Sequence, residues 1–203
     1  QNKNPFDNNK KVDKSYILKN CSIVDTKNLK IHNSDIFLKN KVIEKIGNNL
    51  SNIIDSQTKV IDCEGLYVSP GLTDMRVTIT EPGHEHKETI KSASKSAASG
   101  GITSIICLPN TSPPIDQPAI IHSIQRRARE IALSKVFCTG CITRNFKGDE
   151  ICELHLMQES GAVGFTDGFK TVANTRVMRR ALNYAKSFDG LIIQHAEDPY
   201  LGS

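Results

Sequence analysis

Apolar positions along this chain follow two regimes. Up to about residue 68 they come in short alternating runs divided by polar turns, at 15–25 (SYILKNCSIVD), 34–46 (SDIFLKNKVIEKI) and 58–62, the last closing at Glu64-Gly65. Alternation with period two marks half-buried strands, so residues 15–68 predict a small β-domain. From residue 69 onward, strand-like runs alternate with stretches of helical period. The predicted strands are 71–79, 103–108, 135–142, 163–166 and 191–195. The predicted helices are 86–99, 117–133, 149–160 and 174–187. Pro70-Gly71, Gly100-Gly101, Pro113-Pro114 and Gly161 punctuate them. Strands feeding helices at this spacing argue for parallel βα units, whose chemistry sits on the loops at the C-terminal strand ends.

The most informative stretch is 67–116 (YVSPGLTDMRVTITEPGHEHKETIKSASKSAASGGITSIICLPNTSPPID). Val68, Pro70-Gly71-Leu72, Asp74-Met75, Glu81-Pro82-Gly83, Lys87-Glu88-Thr89, Gly100-Gly101 with Thr103, and Pro109-Asn110-Thr111 with Pro113 run in unbroken register. This pattern resembles the first two βα units of the dihydroorotase family of cyclic amidohydrolases. The resemblance implies a (β/α)8 barrel flanked by a β-sandwich built from both chain ends. Five strands and four helices cannot close such a barrel. The expected architecture is therefore α/β: a partial amidohydrolase-type TIM barrel at 69–203, a small β-sandwich-like domain at 15–68, and a disordered leader at 1–14. The missing half would belong to the native protein. A short doubly wound domain is the alternative that the unit count allows.

The departures from the family pattern fall on its chemistry. A His-x-His at the end of the first strand supplies two zinc ligands in the family; here those positions are Arg76 and Thr78. A guanidinium stays protonated and has no lone pair for a cation, and a threonine hydroxyl is a poor zinc ligand beside imidazole. The family arginine that grips the substrate carboxylate is Thr80. Strand four aligns through Gly164-Phe165-Thr166-Asp167-Gly168, which puts Gly168 at the metal-bridging carboxylate position and Asp167 beside it. A one-residue slip would bring Asp167 into the bridge, so Asp167 and His195, in Ile192-Ile193-Gln194-His195-Ala196-Glu197, are the metal-ligand candidates. The bland reading of His195 is a hydrogen-bonded structural histidine. Asn110 matches the family asparagine that binds the substrate carboxylate, and equally reads as a cap on the turn after strand two. One further expectation is that Arg76 fills the vacated metal space, its guanidinium pointing into the barrel mouth towards Asp167 or Glu81.

Composition narrows the classes without choosing among them. The 203 residues are 38% apolar and 24% charged, ordinary for a globular protein. A net charge of +4 without a basic stripe of interleaved aromatics argues against nucleic-acid binding, and the cluster at 125–130 (QRRARE) reads as a solvated helix face. No apolar run approaches the length of a membrane span, and the polar start (QNKNPFDNNKKVDK) does not read as a signal peptide. Cys138 and Cys141 form a Cys-x-x-Cys, a redox or half-zinc motif in principle; without a second pair, and inside an apolar run, core thiols are the better reading. A reducing cytoplasm fits the six cysteines. His84 and His86 form a second His-x-His in the loop that opens helix one, where a surface pair is the plainer reading. His32, His122 and His155 read as surface or core fillers.

Two functions follow from the resemblance. In the first, the chain is a dihydroorotase-like protein of pyrimidine biosynthesis with weak or absent zinc and weak or absent catalysis. It would act as a structural or regulatory partner, with aspartate carbamoyltransferase as the implied partner and homo-oligomers expected. In the second, it is a working cyclic amidohydrolase with a modified site built from His195 and residues beyond 203. A scaffold outside pyrimidine metabolism is a third possibility.

Overall fold

The computed structural model describes residues 15–40, 42–198 and 201. The leader expected at 1–14 lies outside them. The chain forms two compact units that meet between Pro70 and Gly71.

The first unit is one mixed sheet. Strands β1 (Ser15–Asp25) and β2 (Lys30–Lys39) form an antiparallel hairpin, and β3 (Val42–Gly47) pairs with β2. Strand β4 (Thr58–Asp62) runs parallel to the first half of β1, and the two-residue β5 (Tyr67–Val68) to its second half. The Asp25 carboxylate shapes the hairpin turn by accepting the N–H groups of Lys27 and Asn28, each at 3.0 Å. The run expected at 34–46 is split by a second turn, with Asn40 at a positive φ that asparagine tolerates. A bulge between Leu18 and Cys21 lets one strand serve two parallel neighbours. Ile17 and Phe37 are cross-strand partners that pack with Leu50, while Cys21, Ile36 and Cys63 form a second small cluster on the opposite face.

The second unit is the βα repeat. Strands β6 (Leu72–Val77), β7 (Ile102–Cys107), β8 (Lys135–Gly140) and β9 (Ala162–Phe165) are parallel and lie side by side in chain order. Helices α1 (Ile90–Ser99), α2 (Pro118–Ile131), α3 (Leu154–Glu159) and α4 (Thr175–Lys186) cover one face. Alternation assigns the faces. Ile105 and Cys107 enter the core with Ile121, Ile124 and Ala181, whereas Ile106 turns to the other side. Each such isoleucine contributes about 1.5–3 kcal/mol by leaving water. Cys107, Cys138, Cys141 and Cys152 are free and buried in this core, so the Cys-x-x-Cys is neither a disulfide nor an exposed thiol pair. Burial pushes the Cys138 and Cys152 thiols up to about 12.

Three predicted elements are corrected. Helix α1 begins at Ile90 rather than near 86, because Thr89 caps it in a reciprocal capping box with Ser92. Helix α3 shrinks to six residues, because the residues before it pair back onto the preceding loop: Arg144 N–H donates to Glu150 O and Cys152 N–H to Ile142 O, both at 2.9 Å. The fifth strand is reduced to a parallel bridge at Ile192, held by Phe165 N–H to Leu191 O and Ile193 N–H to Phe165 O, both at 2.8 Å. It keeps the direction and place expected of a fifth barrel strand. No helix of the described residues is long and apolar enough to cross a membrane.

Candidate functional site

The C-terminal ends of the parallel strands open onto a cleft. Its apolar wall comes from Met75, Ile106, Leu108, Val163, Leu191 and Ile193. Its polar groups are Arg76, Thr139, Thr166, Gln194 and His195, with the bare backbone of Gly168 between them. Placement at the strand ends follows from the βα repeat itself, since each strand leads into its loop on this side.

The loops around the cleft show what the retained motif does. Thr80 Oγ1 donates within its own loop, to His84 O at 2.9 Å or Glu88 O at 3.0 Å. Glu81 Oε2 accepts the first helical N–H of α1, from Ile90 at 2.7 Å, and Glu81 Oε1 lies 3.3 Å from Arg127 Nε. Ser112 N–H donates to Pro82 O at 3.0 Å, strapping the Glu81-Pro82-Gly83 loop to the Asn110–Pro113 loop. Gly83 sits at φ +108°, and a Cβ there would come within 2.2 Å of Ser112 O. The backbone signals of this motif thus form a loop clasp. His84 and His86 meet edge to face, 5.9 Å apart.

The candidate ligands part company. His195 lines the cleft, with Nε2 3.0 Å from Glu197 Oε2. Asp167 does not join it. Its carboxylate is 3% exposed and Oδ1 accepts the N–H groups of Ile142 (2.9 Å) and Thr143 (3.0 Å), while Oδ2 accepts the Thr143 hydroxyl. In this structure the Asp167 carboxylate is engaged by two backbone donors of the β8 loop. Thr78 is exposed. Asn110 Oδ1 is buried without a partner, an acceptor left open. Gly168 adopts φ +68°, with nothing within 4 Å of a built Cβ. Gly168→Ala is expected to cost about 1 kcal/mol from the left-handed backbone alone, read as a small drop in urea midpoint.

Arg76 does turn into the strand-end cleft, but its partner is neither Asp167 nor Glu81. The guanidinium carbon lies 5.2 Å from the centre of the Phe169 ring. Sequence reading missed Phe169; the available signal was an aromatic side chain directly after the vacated ligand position. Glu197, quoted above only as part of the His195 motif, proves to be the hydrogen-bond partner of His195.

A family model described as "Dihydro-orotase-like" matches residues 65–202. The chain belongs to the dihydroorotase-like family. The dihydroorotase of Caldicellulosiruptor saccharolyticus is 40% identical over 185 residues, 91% of this chain and 43% of that protein. The dihydroorotase of Geobacter sp. strain M21 is 45% identical over 166 residues, 82% of this chain and 39% of that one. Among solved structures, the L-hydantoinase (dihydropyrimidinase) from Arthrobacter aurescens superposes with a TM-score of 0.79 at 26% identity, covering 92% of this chain and 41% of that one. A D-hydantoinase gives 0.71 at 25% identity, covering 91% of this chain and 40% of that one. The dihydroorotase-like chain thus spans about two fifths of the length of these relatives, and its βα repeat is part of an amidohydrolase-type barrel.

The donor set does not fit the zinc pair that the family resemblance implies. Arg76 offers a cation, Gly168 offers no side chain, and Asp167 is turned away. Among the described residues no three His, Cys, Asp or Glu side chains converge on a metal-sized space.

Proposed function

We propose that this chain belongs to a dihydroorotase-like protein of pyrimidine biosynthesis in which cyclic-amide hydrolysis is lost or greatly weakened, and which serves as a structural or regulatory partner. One observation carries the reading: at two strand ends where the family resemblance calls for metal ligands, the chain places a guanidinium seated on an aromatic ring and a glycine. A fixed positive charge opposes the binding of a divalent cation beside it. Aspartate carbamoyltransferase is the partner we propose on the strength of the resemblance, with self-association of the chain itself alongside.

The deciding experiment is elemental analysis of the full-length purified protein together with a dihydroorotate hydrolysis assay. The expected outcome is zinc below about one tenth of an atom per chain and turnover at background. Near-stoichiometric zinc with turnover would overturn the reading. Co-elution of the full-length protein with aspartate carbamoyltransferase on gel filtration tests the partner; separate elution removes it.

A second reading, a hydrolase with a rebuilt site, draws on His195 lining the cleft and on the open acceptor of Asn110. The same assay separates the two.

A further inference from the structure

Two thiols of the first unit come from different chain segments and share one small cluster. Cys21 lies in β1, Cys63 opens the turn after β4, and both pack with Ile36. Cys21 is four residues from Ile17, yet the bulge after Leu18, with Asn20 at φ +58°, turns it to the opposite face of the sheet. Two backbone hydrogen bonds bracket the pair. Cys63 N–H donates to Lys19 O at 2.8 Å and Ser22 N–H to Leu66 O at 3.1 Å, so the Cys63–Leu66 turn lies alongside the β1 segment that holds Cys21. Neighbouring strands sit about 4.8 Å apart, and a disulfide spans Cα atoms about 4.4–6.8 Å apart. The Cys21 and Cys63 thiols are hydrogen-bond neighbours.

Access to the two differs. Cys21 is fully buried, whereas Cys63 is 6% exposed and begins a turn whose other residues, Glu64, Gly65 and Leu66, are all exposed. Opening that turn uncovers Cys63 without unfolding β1. Burial, with Cys63 and Asp35 alongside, pushes the Cys21 thiol up to about 11. Such a thiol is a poor first nucleophile and suits the second, intramolecular step. The other four thiols also lie near one another, Cys107 beside Cys138 in register and Cys141 beside Cys152, but inside the core of the second unit.

We propose that Cys21 and Cys63 form a reversible modification site, a dithiol that a low-molecular-weight disulfide such as oxidised glutathione converts to an internal disulfide. Cys63, as thiolate, attacks one sulfur of the small disulfide, forms a mixed disulfide and expels one small thiolate. Cys21 then loses its proton, attacks Cys63 Sγ, closes the Cys21–Cys63 bond and expels the second thiolate. The two cysteine protons end on the two released thiols, so two protein thiols are oxidised as one small disulfide is reduced. The new bond ties β1 to the turn that leads into β5.

The test exposes the folded full-length protein to excess oxidised glutathione, followed by acid quench, alkylation and peptide mapping by mass spectrometry. The expected product is a peptide linking Cys21 to Cys63 in more than about half of the chains, with the other four cysteines alkylated. Dithiothreitol should abolish it. Cys21→Ala is expected to stop at the mixed disulfide on Cys63. In Cys63→Ala, Cys21 should react at least about tenfold more slowly than Cys63 does in Cys21→Ala. Melting temperatures on the same samples check folding, and mapping of the wild type decides the proposal even where a variant does not fold. Three wild-type results overturn it: both thiols stay reduced, the reaction stops at a mixed disulfide on Cys63, or either cysteine links to one of the other four. Equal reactivity in the two folded variants overturns the order of attack.

Discussion

Asp167→Ala is expected to destabilise the protein by about 3–5 kcal/mol, the largest effect of any polar substitution considered for this chain. The carboxylate is buried and satisfies the N–H groups of Ile142 and Thr143 together with the Thr143 hydroxyl. Alanine leaves two backbone donors buried without an acceptor, each at about 1–3 kcal/mol, and the loop after β8 loses its anchor. Chemical denaturation followed by circular dichroism measures the loss. A change below about 1 kcal/mol would mean that water or a neighbouring carbonyl replaces the carboxylate.

The same residue gives a pH dependence with a definite sign. Burial pushes the Asp167 carboxyl above its ordinary value of 3.8, against the lowering pull of the Thr143 hydroxyl and the two N–H groups. The folded chain therefore holds this proton more tightly than the unfolded chain does. The stabilising contribution is fully present below 3.8 and is lost as pH rises through the raised folded value. Asp167→Asn cannot titrate. The stability of the wild type relative to Asp167→Asn should thus decline as pH rises above about 4, and a flat difference would contradict the raised value.

Gly83→Ala is the second large effect, expected at about 3–5 kcal/mol. Two causes add. The backbone at φ +108° is a conformation that an L side chain rarely adopts, and the new Cβ would sit 2.2 Å from Ser112 O. That oxygen belongs to the clasped neighbouring loop, which cannot withdraw without breaking the bond from Ser112 N–H to Pro82 O. Gly65→Ala is the matched control. It also has a positive φ, +75°, but nothing lies within 4 Å of its built Cβ. It should cost about 1 kcal/mol. Equal urea midpoints for the two variants would show that the loops separate freely, and the clasp would then carry no weight.

Much of the family motif is used in this chain for local structure. Glu81-Pro82-Gly83 is strapped to the loop after β7 through Ser112, and Thr89 of Lys87-Glu88-Thr89 caps α1. Arg76, Thr78 and Gly168 stand at the positions where the family resemblance implies ligands.

By itself the sequence determined the parallel βα order, since strand and helix periods alternate and turn residues separate them. It also shows that Arg76 and Gly168 bring no side-chain lone pair to their positions, because a guanidinium and a missing side chain fail as metal donors wherever they point. It placed the cysteines in the core through their apolar neighbours, as at Cys107 and Cys138. Tertiary structure decided the partners. Asp167 finds donors 24 and 25 residues earlier in the chain, and nothing local distinguishes such a clamp from a ligand. Arg76 meets Phe169 only because parallel strands bring their C-terminal ends to one side, a proximity with no signature in sequence spacing. The shortening of α3 was likewise decided by the fold: Glu150 and Cys152 pair with backbone groups of the preceding loop six and ten residues away, and those bonds outweigh local helical preference.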